Sequence, residues 1–477
     1  MRLSFTEIAR AVGGSVLAGP TPCGMVEDAM LEGVGTDSRA VTPGSLFVCL
    51  PGETFDGHDF AGKAAEAGAA ALLVSRNPFE GEPPVPLILV DDTLKALGRL
   101  AHFWRSRQKN TCVIGLTGTA GKTTVKELLA QVLGRRGLTA KTHMNLNNQI
   151  GLPLSILATT GEEAFWVMEA GISHPNDMDE LGAILEPDFG LILNVGPGHV
   201  AGLGDKGTAY YKAKLLAHLT PGGTAIISAD YPDLVREARA IHQELIFFSA
   251  TGRQMDYRAA YVSPAGPDKG IYRLWLDGVP VDVEAPFRGA FGAENVIAVA
   301  AVAHRLGLTT EEIVAGFAGA VLPKQRFACS RVGEWLVIDD SYNANPLSFS
   351  RMLEAVAEMA RDRAGGPLVC VLGEMGELGE RSEDEHRRLG RLVAGIKPRL
   401  VCWKGGQRKA FEEGLLSERF SGTFCPVATV EDMLAGLDAC KLGAAGGVIL
   451  FKGSRFNKLE TLVSAFTAAQ SGESHAV

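Results

Sequence analysis

An apolar run, Val113-Ile114-Gly115-Leu116-Thr117, leads into Gly118-Thr119-Ala120-Gly121-Lys122-Thr123-Thr124, and few folds accept that order. Glycines let backbone N–H groups crowd around a polyphosphate, a lysine reaches its outer phosphates, and the Thr123 hydroxyl can sit on Mg²⁺. Val125, Leu128, Leu129, Val132 and Leu133 then recur at helical spacing, so a bound phosphate would face a helix N-terminus. Residues Thr117, Gly118, Thr119, Ala120, Gly121, Lys122, Thr123 and Thr124 are therefore read as an ATP-binding phosphate loop. The widespread pattern has its first glycine where Leu116 stands, which makes this the shorter G-x-x-G-K-T form. The bland alternative is a strand-turn-helix that happens to carry Gly-Lys-Thr.

At 477 residues the chain has room for about three domains. Apolar runs of strand length alternate with helical patterns, which predicts an α/β fold with mostly parallel sheets. One group of runs holds Leu46-Phe47-Val48-Cys49-Leu50, Ala71-Leu72-Leu73-Val74 and Leu87-Ile88-Leu89-Val90, and a polar bridge from Arg105 to Asn110 closes it. A second group begins before the phosphate loop. Within it, residues 257–287 alternate apolar and polar around Asp277-Gly278, a type I′ hairpin signal. A third group follows Leu322-Pro323. The expected domains are 1–108, 109–321 and 322–477.

The formal net charge of −9 and the absence of any Lys/Arg-rich run argue against a nucleic-acid surface. Eight scattered cysteines without a C-x-x-C pair indicate neither a zinc site nor a disulfide framework. The first eight residues read as amphipathic rather than as a signal peptide, and no apolar run reaches about 18 residues. A soluble, cytoplasmic protein is expected, monomeric and without a membrane partner.

In doubly wound sheets, ligands gather at the carboxyl ends of strands. Glu169 and Asn194 each end an apolar run, and His199 follows in Asn194-Val195-Gly196-Pro197-Gly198-His199. With Thr123 these could supply ligands to Mg²⁺ held partly by phosphate. Capping or a structural histidine would explain them equally. Lys212 and Lys214 lie on a helical stretch beyond this loop. Two positions are roughly 200° apart on a helix, so both cannot face one site, and periodicity does not choose between them. Asp339-Asp340-Ser341-Tyr342-Asn343-Ala344-Asn345-Pro346 follows a third-group strand and could grip a ribose or an ammonium, or could be turn chemistry alone.

In their order along nearly the whole chain, these segments resemble the Mur ligases. The resemblance rests also on Asp37-Ser38-Arg39, Asp56-Gly57-His58-Asp59-Phe60, Asn145-Leu146-Asn147-Asn148-Gln149-Ile150-Gly151, the glycines from Gly373 to Gly379 with His386, and Lys452-Gly453-Ser454-Arg455. It implies an N-terminal domain for a uridine nucleotide, with Ser38 and Arg39 as contributors, a central P-loop ATPase with a parallel sheet, and a C-terminal Rossmann-like domain for the amino substrate. Arg39 also has a plain alternative, an ion pair with Asp37. The resemblance implies two Mg²⁺ ions, with Thr123, Glu169, His199 and a lysine carbamylated by CO₂ as ligands. It assigns that carbamate to Lys214. It further implies adenine contact by Asn295, nucleotide contact by Arg326 and Asp340, and substrate contact by Asn147, Asn148, Asn343 and Asn345. Relatives often have His-Asn where this chain has Phe291-Gly292.

The implied reaction is ATP-dependent amide formation through an acyl phosphate, joining D-alanyl-D-alanine to UDP-N-acetylmuramoyl-tripeptide. The third-domain segment lacks the arginine of the Asp-Asn-Pro-Arg run typical of the diaminopimelate-adding sister, which favours the dipeptide. Catalysis would fall to Lys122, Glu169, His199 and Lys214. The alternatives are a sister Mur ligase, a folylpolyglutamate synthase-like ligase and, from another class, a P-loop regulatory ATPase.

Overall fold

The computed structural model describes residues 1–17, 29–196, 203, 206–363, 366–442 and 446–471. Among these, the strands form three large parallel-rich sheets, one after another along the chain, plus a short ladder of Arg2–Ser4 with Met30–Glu32. In the first sheet Leu46–Val48, Ala71–Val74 and Leu87–Leu89 lie side by side and parallel. Their near-continuous apolar composition suits strands covered on both faces.

The central sheet has nine strands. Cys112–Thr117, which feeds the phosphate loop, lies between Phe165–Glu169 and Phe189–Ile192, all three parallel. The carboxyl ends of these neighbours therefore open on one edge, where Glu169 comes beside the loop. At the far side Gly270–Leu276 and Val279–Ala285 form the expected hairpin, and Asp277 and Gly278 both have positive φ, 47° and 79°. That pair of left-handed residues is what a type I′ turn requires. The hairpin extends the central sheet through Tyr257–Pro264 rather than standing apart from it.

The third sheet has six strands, with Trp335–Asp340 and Gly447–Lys452 adjacent and parallel. Asp340 and Lys452, paired in register, end these strands together. The helix Pro346–Asp362 crosses from this sheet toward the central one. Its start is written locally: Asn345 accepts a hydrogen bond from Ser348 N at 2.8 Å, and Pro346 follows at the first helical position.

The polar bridge near residue 105 is not a loose linker. Arg105 is buried at the end of the helix Thr93–Ser106, where its guanidinium donates to the carbonyls of Leu185 (3.0 Å) and Glu186 (2.8 Å) and to Asp188 (3.1 Å). One apolar layer runs from Leu46, Leu73 and Ile88 through Leu97 and Trp104 to Leu152, Trp166 and Leu181. The first sheet is thus packed firmly on the central one.

Candidate functional site

Gly121 begins the phosphate-loop helix Lys122–Leu133 at φ 82°, with no side chain capping the first turn. The leading amides and the positive end of the helix dipole are thereby left to an anion. A Cβ on Gly121 would lie 2.6 Å from Asn295 Oδ1, so the position needs glycine for space as well as for conformation. The Lys122 ammonium folds back onto Gly118 O at 2.8 Å, and burial pushes its pKa down.

Asn194 has a different task from the metal ligation its place at a strand end suggests. It is fully buried, and its Oδ1 accepts from Thr119 N (3.0 Å) and Ala120 N (2.8 Å), while its Nδ2 donates to Ala120 O (2.9 Å) and Glu294 (2.7 Å). With every polar atom occupied, Asn194 shapes the loop from behind.

Glu169 meets the loop on its other side. Its carboxylate accepts from Thr123 Oγ1 at 3.0 Å and from Asn147 Nδ2 at 2.7 Å. A Cβ on Gly171 would sit 2.6 Å from Asn147 Oδ1, so that glycine is what admits Asn147 to this contact. Asn148 instead accepts from Ile150 N at 3.2 Å and Gly151 N at 2.9 Å, just ahead of the helix Gly151–Leu157. Lys126, unremarked in the sequence, is wholly buried one turn into the phosphate-loop helix. It donates to the carbonyls of Thr142 and Met144 at 2.7 Å each, and the Thr142 hydroxyl accepts from Glu169 N at 2.8 Å.

From the segment just before the third sheet, Arg326 reaches Thr123 Oγ1 at 3.2 Å and lies over the Tyr342 ring at 4.1 Å. Asp340 accepts from Phe327 N (3.1 Å) and from the buried Lys452 ammonium (2.5 Å). Asn345 donates to Thr119 O at 3.1 Å while capping its own helix, and Asn343 Oδ1 accepts from Ala344 N at 2.8 Å. The amide of Asn345 thus joins the start of its own helix to the phosphate loop.

These groups enclose a cavity of about 410 Å³ between the central and third sheets. Thr119, Ala120, Gly121, Lys122, Thr123, Thr124, Asn147, Asn148, Glu169, Asn295, Arg326, Asp340, Asn343 and Asn345 all line it. Thr117 and Gly118 lie behind it, and His199 falls outside the described residues. Ser38 and Arg39 are not among its walls. Arg39 is exposed and doubly bonded to Asp37, at 2.9 and 2.7 Å, which holds the Asp37 carboxyl down at about 2.

The two lysines of the helical stretch separate as their spacing requires. Lys212, at the end of the helix Gly207–Ala213, is 1% exposed. Burial pushes its pKa well below the ordinary lysine range, the Lys122 cation lowers it further, and Glu169 opposes them. Lys214 points elsewhere: it forms an ion pair with Asp179 and lies over the Tyr210 ring at 5.6 Å. The helix phase turns Lys212 inward, toward Lys122 and Glu169, and turns Lys214, the lysine expected at the site, toward Asp179.

The donor set suits ATP with Mg²⁺. The Thr123 hydroxyl and Glu169 carboxylate are hard oxygens in contact. Asn295 Oδ1 is buried beside the loop and has no hydrogen-bond partner among the described residues. Phe291 packs on Phe287 and Phe327, ring centroids 6.0 and 5.3 Å apart, and walls the same side. Gly292 explains itself: a Cβ there would fall 2.3 Å from the Tyr272 hydroxyl.

Three family models match in chain order: "Mur ligase family, catalytic domain" over residues 31–105, "Mur ligase middle domain" over 116–303 and "Mur ligase, glutamate ligase domain" over 325–455. The chain belongs to the Mur ligase family. The UDP-N-acetylmuramoyl-tripeptide--D-alanyl-D-alanine ligase of Escherichia coli (strain K12) is 34% identical, over 92% of this chain and 94% of the relative. A crystal structure of MurF from Acinetobacter baumannii superposes with a TM-score of 0.86 at 30% identity, covering 98% of this chain and 99% of that one. MurF ligase from Thermotoga maritima in complex with ADP superposes with a TM-score of 0.79 at 27% identity, covering 93% and 99%. Within this Mur ligase, the residues that sequence reasoning missed are Lys126 and Arg351, and Lys452 was given no role of its own. Lys452 carried a signal, a charge at the end of an apolar run. Lys126 and Arg351 carried none, because their partners are remote in sequence.

Proposed function

We infer that this chain is an ATP-dependent ligase that joins D-alanyl-D-alanine to UDP-N-acetylmuramoyl-tripeptide in peptidoglycan precursor synthesis. The observation that carries the reading is the cavity in which Lys122, Thr123 and Glu169 face Arg326 and Asp340, in a chain about one-third identical, nearly end to end, to ligases of that name.

A carboxylate acylates poorly because its leaving group would be oxide. Transfer of the γ-phosphoryl group of ATP to the terminal carboxylate of the tripeptide gives an acyl phosphate. The dipeptide amine then attacks the acyl carbon, and phosphate leaves. Lys122 and the open helix N-terminus neutralise charge on the transferring phosphoryl group. Thr123 and Glu169 would hold Mg²⁺, which supplies further neutralisation when bound. Arg326 anchors the nucleotide from the third domain, and closure of that domain excludes the water that would hydrolyse the acyl phosphate.

A second Mg²⁺ belongs to the same proposal, with His199 as a ligand and a carbamate as another. What supports Lys212 as the carbamylated residue is its burial beside Lys122 and Glu169. The neutral form of a lysine can add to CO₂ with release of one proton, leaving a carbamate anion. We assign uridine-nucleotide recognition to residues 1–108 with Ser38 and Arg39, ATP handling to 109–321 and dipeptide binding, including Asn343, to 322–477. Asn147 and Asn148 line the cavity and would position the tripeptide. A monomer belongs to the same proposal, and no helix among the described residues is long and apolar enough to cross a membrane. Nucleotide substrates place the work in the cytoplasm.

The test is product mass. With ATP, Mg²⁺, UDP-N-acetylmuramoyl-tripeptide and D-alanyl-D-alanine, the expected product is the tripeptide precursor plus one dipeptide. Addition of a free amino acid to a shorter precursor, with no dipeptide product, would overturn the assignment to this branch.

A further inference from the structure

The helix Pro346–Asp362 presents Arg351, Ala355, Glu358 and Asp362 at spacings of four, three and four, which is one face of a helix. Every one of them meets the central domain. Arg351 Nη2 lies 2.8 Å from Glu294 Oε2 and 2.7 Å from the Tyr231 hydroxyl oxygen. A Cβ built on Gly289 would be 3.4 Å from Ala355 Cβ, so the helix backbone approaches closely there. Tyr261 donates to Glu358 at 2.9 Å, and Asp362 pairs with Arg288.

Arg351 differs from the other contacts in where its partner leads. The Glu294 side chain is 5% exposed and takes a hydrogen bond from Tyr231 (2.9 Å) as well as the one from Asn194 Nδ2. Asn194 in turn holds Thr119 N and Ala120 N. A continuous chain of side-chain contacts therefore joins the third domain to the backbone of the phosphate loop. Its chemistry has a direction. Glu294 Oε2 accepts from Asn194 Nδ2, which leaves Asn194 Oδ1 turned to the loop amides. A buried carboxylate left with only neutral donors is strongly disfavoured, and Arg351 is the cation that compensates it. If the third domain undocks, Glu294 loses that cation and the orientation of Asn194 loses its support.

We propose that Arg351 and Glu294 are a positioning pair that couples docking of the C-terminal domain to the shape of the phosphate loop, so that nucleotide is held tightly only in the docked arrangement. The pair touches no substrate, and its use in turnover rests on the ligase reading above. Nucleotide affinity does not.

The experiment uses the full chain and its Arg351→Met, Glu294→Gln and doubly substituted forms, with Arg351→Lys and, as an interface control, Asp362→Ala. Affinity for Mg·ADP is measured by calorimetry, KM for ATP and kcat from phosphate release, and folding from the melting temperature. Arg351→Met is expected to weaken Mg·ADP and raise KM for ATP by about tenfold, a typical size for coupling between sites. Adding Glu294→Gln should recover part of that loss, since the uncompensated charge is then gone, and Arg351→Lys should fall between. Asp362→Ala should change affinity less than twofold. If Arg351→Met lowers only the melting temperature, or Glu294→Gln recovers nothing, the coupling does not exist. Should Arg351→Met fail to fold, Arg351→Lys carries the test, and wild-type affinity there with a fully active Glu294→Gln would overturn the proposal. Failure of the ligase reading would instead appear in the unaltered protein, as absence of dipeptide product.

Discussion

Replacing Lys212 and Lys214 separately by alanine tests the site where helix phase decides function. Lys212 is 1% exposed, and its ammonium senses Lys122 and Glu169. Removing a fixed group from the place where charge develops in the transition state costs about 10²–10³ in rate, or ~2.7–4 kcal/mol. Lys214 contributes an ion pair to Asp179, whose side chain is 41% exposed. Such a pair is worth about 0–1 kcal/mol, so its loss changes rate or stability by no more than about fivefold. The expected contrast between the two variants is therefore at least about twentyfold in kcat, judged by those two magnitudes. Phosphate release in the presence of ATP, Mg²⁺, tripeptide precursor and D-alanyl-D-alanine measures it. A short added carboxylic acid should restore part of the Lys212→Ala activity by occupying the vacated anionic position, and should do nothing for Lys214→Ala. A dead Lys214→Ala beside an active Lys212→Ala would refute the reasoning, whatever the rescue result.

Lys122→Ala should lower kcat by about 10²-fold or more, because the phosphoryl group loses its nearest fixed cation; near-normal turnover in a correctly folded variant would remove the phosphate-loop assignment. Asn345→Ala removes the cap of the helix Pro346–Asp362 and the bond to Thr119 O, so it should cost about 1 kcal/mol of stability and raise KM for ATP more than for the dipeptide. An effect confined to the dipeptide KM would return Asn345 to the amino-substrate site. His386 accepts from Met375 N at 2.9 Å, its Nδ1 lies 2.6 Å from Ser382 O, and burial depresses its pKa below the usual value of about 6.5. The unfolded chain then binds the extra proton, so this contribution to stability is complete above about pH 6.5 and is lost as pH falls from there through the folded pKa. Denaturant midpoints between about pH 7.5 and 5 should fall for the unaltered protein and flatten for His386→Gln; parallel curves would show that His386 is not the group responsible.

Local chemistry determined much of this protein. Apolar strand runs, the glycines of the phosphate loop, the Asp277-Gly278 turn and the Asn345-Pro346 helix start all act within a few residues, where backbone conformation and side-chain spacing leave little choice. For the same reason Thr123 and Glu169, each closing a strand or opening a helix, were legible as a pair at neighbouring strand ends. Tertiary structure alone sent Lys212 and Lys214 to different surroundings, because a 200° difference in direction has no meaning until the helix is docked against something. It also turned Asn194 from a presumed ligand into the support of the loop, spent the amide of Asn345 on Thr119, and gave Arg351 a partner in Glu294. Those contacts join residues far apart in the chain, and burial, which sets their strength, is a property of the packed domains rather than of any segment.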